Sequence, residues 1–166
     1  MWRTLAFACG VAWCLSAAPV GAFDAPRIHF QAGTERFAVQ RAIDDASRRL
    51  GTADCQRVLD DFTDAEGRTL TENLDRRGKT PLQFFNALYL WEDRDTPRCR
   101  LGSTLAFTAP GNAVIWICSH PFKDAALNQP RLGGAILIHE MLHALGLGEN
   151  PPRSDHITRQ VLARCS

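Results

Sequence analysis

Between Gly134 and Pro152 the chain reads GAILIHEMLHALGLGENPP. At its centre, Ile138-His139-Glu140-Met141-Leu142-His143 sets two histidines and a glutamate in the most hydrophobic segment of the sequence. From Leu132 to about Leu145 apolar residues cover several faces of a helical projection, so the spacing predicts a buried central helix. Gly146 is the natural residue to end it, and Pro151-Pro152 prevents an early restart. Polar groups in such a helix are costly to bury unless each finds a partner. His139 and His143 are four apart, which stacks them on one helical face, one turn above the other.

Two imidazoles so placed can share one zinc ion, with nitrogen–metal distances of about 2.0–2.1 Å. Glu140 lies one residue on, about 100° around the axis. It therefore points beside the metal, where it can take a proton from a water that the metal has acidified. His-Glu-x-x-His on a helix has this metallopeptidase reading. The competing reading is two core histidines satisfied by backbone carbonyls. Against it, three polar residues stand in the required order in a helix that otherwise excludes polarity.

The segment Leu132 to Glu149 resembles the zincin superfamily of zinc peptidases. IHEMLHALGLGE is similar to the extended metzincin signature, in which His-Glu-x-x-His is followed after two residues by glycine and after two more by a ligand. On that resemblance His139 and His143 match the first two metal ligands, Glu140 the general base, and Gly146 the glycine that turns the chain back toward the metal. The third ligand falls on Glu149, where a metzincin carries histidine or sometimes aspartate. Two histidines and a glutamate are a working catalytic set. His156 is the runner-up third ligand, with Asp155 and His120 behind it. The methionine turn of metzincins has no counterpart, since the only methionines are Met1 and Met141. A third ligand from a glutamate on a later helix, the gluzincin arrangement, has none either: Glu149 is the only glutamate after Glu140. The wider pattern is similar to small exported bacterial proteins that carry this motif. The resemblance implies an edge strand that receives an extended substrate by strand addition, and Ala113 to Cys118 (AVIWIC) is the expected segment. Tyr89, the only tyrosine, is weighed as an oxyanion donor against a plain core or rim role.

The rest of the chain sets the context. Residues 1–22 carry one charge, Arg3, an apolar run from Leu5 to Ala18, and small residues at Val20-Gly21-Ala22. This is the pattern of a secretory signal and is too short to span a bilayer. A single domain over 23–166 follows, secreted or periplasmic. Removing Arg3 from the 19 basic residues balances them against the 18 acidic ones. With no basic face or stripe, nothing points to nucleic acid, and no later segment suits stable membrane insertion. Cys55, Cys99, Cys118 and Cys165 form an even set in an exported chain, so two disulfides are expected. The preferred pairing is Cys55 with Cys165 and Cys99 with Cys118. No Cys-x-x-Cys pair suggests a cysteine metal site.

Helical periodicity runs from Thr34 to Leu50, ended by Gly51, and a shorter apolar stretch spans Cys55 to Phe62. DFTDAEGRTLTENL lacks the ligand spacing of an EF-hand and reads as a turn into a short helix. Thr80-Pro81 starts a helix over PLQFFNALYLWED, although ALYLW suits a strand equally. Two apolar runs, Thr104 to Ala109 and Ala113 to Cys118, flank Pro110-Gly111-Asn112 as a hairpin. SHPFKDAALNQPR reads as a connection, and SDHITRQVLARC as a last helix capped by Ser154.

These observations converge on an exported α+β, zincin-like domain. A buried active-site helix packs on a small sheet with an N-terminal helix, under two disulfides. The expected function is zinc-dependent hydrolysis of peptide bonds, with a peptide or protein as substrate. The alternative is a catalytically inactive zinc-binding or structural protein of the same fold. A third is a toxin or inhibitor module whose disulfides matter more than its metal.

Overall fold

The computed structural model describes residues 25–166, so the expected export signal lies outside the described residues. Four strands, β1 (Arg27–His29), β2 (Tyr89–Asp93), β3 (Ala106–Phe107) and β4 (Val114–Cys118), form one sheet in the order β1-β2-β4-β3. The first two contacts are parallel and the last is antiparallel. Among the described residues eight α-helices accompany it: α1 (Thr34–Leu50), α2 (Ala53–Gln56), α3 (Leu70–Asp75), α4 (Pro81–Asn86), α5 (Pro97–Arg100), α6 (Ser119–Asn128), α7 (Pro130–Ala144) and α8 (Ser154–Arg164). The fold is α+β with a small sheet, as expected; the sheet is mixed, with parallel pairs beside the expected hairpin.

Helix α7 is the centre. Every residue from Leu137 to Ala144 is buried. Helix α1 crosses it where the sequence supplies only small residues. A Cβ on Gly134 would lie 2.3 Å from Asp45 Oδ2 and 3.1 Å from the Ala46 amide nitrogen. One on Gly133 would meet the Cβ atoms of Ala126 at 2.9 Å and Ala42 at 3.1 Å. The glycine pair thus sets how closely α1, α6 and α7 approach. The inner sheet face supplies Leu90, Ile115 and Ile117, all without solvent exposure. The outer face carries an aromatic row in register across all four strands: His29, Trp91, Trp116 and Phe107. His29 stacks on Trp91 at 4.2 Å and Trp91 tilts against Trp116 at 5.9 Å. Arg98 lies 4.7 Å over the Phe107 ring.

Several local expectations change. PLQFFNALYLWED is neither one helix nor only a strand. A capping box on Thr80 and Gln83 starts α4, which stops after Asn86, and β2 follows from Tyr89. Parallel pairing on both sides of β2 explains the switch, because each neighbour satisfies one row of its backbone groups. SHPFKDAALNQPR is not a simple connection: most of it is α6. The stretch from Cys55 to Phe62 is not one helix: it holds the end of α2 and a 3₁₀ turn at Arg57–Leu59. Ser154 opens α8 but makes no side-chain cap; Arg153 holds the cap position. The first hairpin strand is only Ala106–Phe107. Most consequentially, β4 is an inner strand, paired with β2 and β3, so AVIWIC is no free edge; β3 takes that position.

The disulfides join Cys55 to Cys165 and Cys99 to Cys118, the preferred pairing. They accord with an oxidising compartment. Among the described residues no helix is long and apolar enough to cross a membrane.

Candidate metal centre

The site is built on the last turns of α7. His139, Glu140 and His143 are all buried. Helical spacing brings the two rings together, with Nε2 to Nε2 at 3.0 Å. Two zinc–nitrogen bonds of standard length at a tetrahedral angle would hold the nitrogens about 3.3 Å apart, so the pair is already spaced to share one ion.

Each ring is oriented from behind. His143 Nδ1 lies 2.8 Å from the Leu147 carbonyl oxygen, which can only accept, so Nδ1 carries a proton and the tautomer that leaves a lone pair on Nε2 is the one favoured. His139 Nδ1 lies 2.9 Å from Thr158 Oγ1 on α8, which can take its proton in the same way. Ligating histidines commonly have their remote nitrogen engaged like this. Burial first, and then the neighbouring His143, push the His139 pKa down to about 3, so the ring is neutral at physiological pH. Two ring nitrogens aimed at one point can share a proton or a cation.

The turn after α7 brings the third group. Gly146 adopts φ +120°, a region L side chains rarely enter. Its N–H donates to the His143 carbonyl at 2.8 Å, and the Leu147 N–H donates to the Leu142 carbonyl at 3.1 Å. This pair of bonds is a Schellman turn. It reverses the chain so that one carboxylate oxygen of exposed Glu149 and one nitrogen of each histidine all lie within 4.8 Å of one another. The His139, His143 and Glu149 group could hold a metal ion. The donor set fits: neutral imidazoles and a carboxylate suit a divalent cation of the zinc class.

Glu140 stands beside this group. Its Oε2 is sealed from solvent with no hydrogen-bond partner among the described residues. Burial above all, and the nearby Glu149 charge, push its pKa up to about 8; the Thr108 backbone N–H and the charge of Arg98 pull the other way. A cleft of about 670 Å³ opens over the group, walled by Ser103 to Thr108 on the β3 side and by Ser154, Thr158 and Arg159 on the α8 side. The hairpin is anchored to the helix end, since the Gly111 N–H donates to the His143 carbonyl at 3.0 Å.

The other weighed residues fall outside the donor group. His156 sets its ring edge-on to Phe62 at 6.1 Å. Asp155 reaches the cleft wall but is paired with Arg153 and Arg159. His120 faces Glu35 at 3.5 Å. Tyr89 sits on β2 under Arg27, away from the cleft lining, so it is no oxyanion donor here. Nothing in the sequence marks Thr158 or Arg98 as part of the site. Each touches the site through tertiary packing alone, and neither sits at a telling spacing from the motif.

No protein-family model, curated protein or solved structure gives a significant match to this chain.

Proposed function

We propose that this chain is an exported zinc-dependent peptidase of zincin type, with His139, His143 and Glu149 as ligands and Glu140 as general base. The observation that carries the reading is the convergence of two back-supported Nε2 atoms at 3.0 Å, with a carboxylate beside them, on the floor of an open cleft. A divalent cation held there would supply Lewis-acid polarisation of a carbonyl and acidify water at neutral pH.

The chain's own groups account for the rest of the reaction. Thr158 and the Leu147 carbonyl keep both rings turned so that Nε2 faces the cleft. Burial and then the Glu149 charge push the Glu140 pKa up to about 8 in the metal-free chain. A divalent cation held by His139, His143 and Glu149 would offset that charge and favour the carboxylate form that a general base needs. The unpartnered Oε2 of Glu140 takes the proton of the attacking water and returns it to the leaving amine. Arg98 and the free edge of β3 border the cleft where a polypeptide enters.

The test is metal analysis of the purified chain together with cleavage of a broad peptide library. The parent is expected to hold one zinc per chain and to cleave. Glu140→Gln is expected to keep the zinc and lose cleavage by a factor of about 10²–10⁴. A Glu140→Gln protein as fast as the parent removes Glu140 from the mechanism. A zinc-loaded parent that cleaves nothing supports the inactive zinc-binding alternative.

A further inference from the structure

We infer that Asp64 and Asn73 are positioning residues for the metal centre, acting through the turn that follows α7. The inference rests on the metal-site reading above. Asp64 is buried and accepts from the Glu66 and Arg68 backbone N–H groups at 2.9 and 3.0 Å, from Arg68 Nε at 2.9 Å and from Asn73 Nδ2 at 2.8 Å. Arg68 Nε also reaches Asn73 Oδ1 at 3.2 Å, which fixes which end of the amide faces which way. Asn73 Nδ2 then donates to the Leu145 carbonyl at 3.1 Å. An antiparallel bridge ties Asp64 to Leu147.

The residue so tied is the one that orients His143. The Leu147 carbonyl takes the His143 Nδ1 proton at 2.8 Å and leaves Nε2 free. If the 145–147 backbone rotates, that carbonyl moves and the imidazole loses its fixed tautomer and angle. The clasp is closely fitted: a Cβ on Gly146 would lie 3.3 Å from Asn73 Nδ2 and 3.4 Å from Asp64 Cβ. The Schellman bonds reach only the Leu142 and His143 carbonyls; Asn73 is what holds the Leu145 carbonyl, where the turn begins. Neither Asp64, Arg68 nor Asn73 lines the cleft, so their influence passes through the backbone. The polar stretch DFTDAEGRTLTENL, which lacks cation-loop spacing, thereby acquires a role.

The test uses the disulfide-bonded chain and two metals. Zinc affinity is measured by competition with a chromophoric chelator, and the cobalt(II) absorption spectrum reads ligand geometry. Asn73→Ala is expected to remain folded by circular dichroism, to bind zinc roughly tenfold or more weakly, and to shift the cobalt bands. Leu74→Ala, which removes a buried side chain from the same helix, is expected to lower the melting temperature more while keeping the parent's affinity and spectrum. If Asn73→Ala does not fold, Asn73→Ser is read in its place. A folded Asn73 variant with the parent's affinity and spectrum overturns the inference. So does an equal loss of affinity in Leu74→Ala. A parent that binds neither metal overturns the metal-site reading and the inference together, which separates the two failures.

Discussion

His139 has its partner on a different helix. Thr158 Oγ1 is the group its Nδ1 meets, so Thr158→Val should leave the fold intact and weaken zinc binding by roughly 10-fold, as read by chelator competition. The two buried ionisable groups of the motif also predict a pH profile for the metal-free protein. His139 is held neutral down to about pH 3 in the folded chain against 6.5 in the unfolded one. Acid therefore protonates the unfolded state first, and stability falls as the pH drops below 6.5. Glu140 keeps its proton up to about pH 8 against 4.5, so stability falls as the pH rises above 4.5. Between 4.5 and 6.5 the two slopes cancel. Asp64 and Asp93, both depressed below the usual carboxylate range because hydrogen bonds outweigh their burial, steepen the acid side only. Thermal melts in chelator should be highest between pH 4.5 and 6.5. A melting temperature still climbing at pH 8 would show that Glu140 is ionised in the folded, metal-free chain.

At the scale of elements, the crossing of α1 over α7 is the contact least able to accommodate a change. Gly134→Ala puts a methyl group against Asp45 and the α1 backbone. It is expected to cost about 1–3 kcal/mol in denaturant unfolding, whereas Gly67→Ala, where a Cβ would meet nothing within 4 Å, tests a strained backbone without crowding. Helix α7, its end at Gly146 and the pairing of His139 with His143 were legible in the sequence. Each is a local pattern: apolar periodicity, a glycine stop, a four-residue spacing. What escaped is what packing decides. Helix α6 has the apolar residues Phe122, Ala125, Ala126 and Leu127, but its opening His-Pro and later Gln-Pro read as loop punctuation. Strand β1 is three residues long, and only its pairing with β2 makes it a strand. AVIWIC is equally apolar as an edge or an inner strand, so sequence could not say that β2 covers its far side.

For the whole molecule, the Cys55–Cys165 bridge closes 110 residues and the Cys99–Cys118 bridge only 19. Chain-entropy arguments give the long closure about 4.7 kcal/mol and the short one about 3 kcal/mol. The long bridge also clamps α8, which Arg164 ties to Asp61 at 2.8 Å and which carries Thr158. Replacing Cys55 and Cys165 by serine should therefore lower both the melting temperature and the zinc affinity, while the Cys99, Cys118 double variant should mainly lower the former. Equal affinity in the two variants would separate α8 from metal retention. The pairing was legible as a preference among three connectivities, whereas the role of α8 behind the site emerges only once the bridge holds it there.

The aromatic row on the outer sheet face has an optical consequence. Trp91 and Trp116 are neighbours there, both partly exposed, and the chain's other tryptophans, Trp2 and Trp13, fall within the expected export signal. Helix α7 has no aromatic residue of its own apart from its two histidines. Intrinsic fluorescence of residues 23–166 would thus follow the sheet surface. Neither tryptophan lines the metal cleft, so stripping the cation should alter emission less than unravelling of β2 from β4.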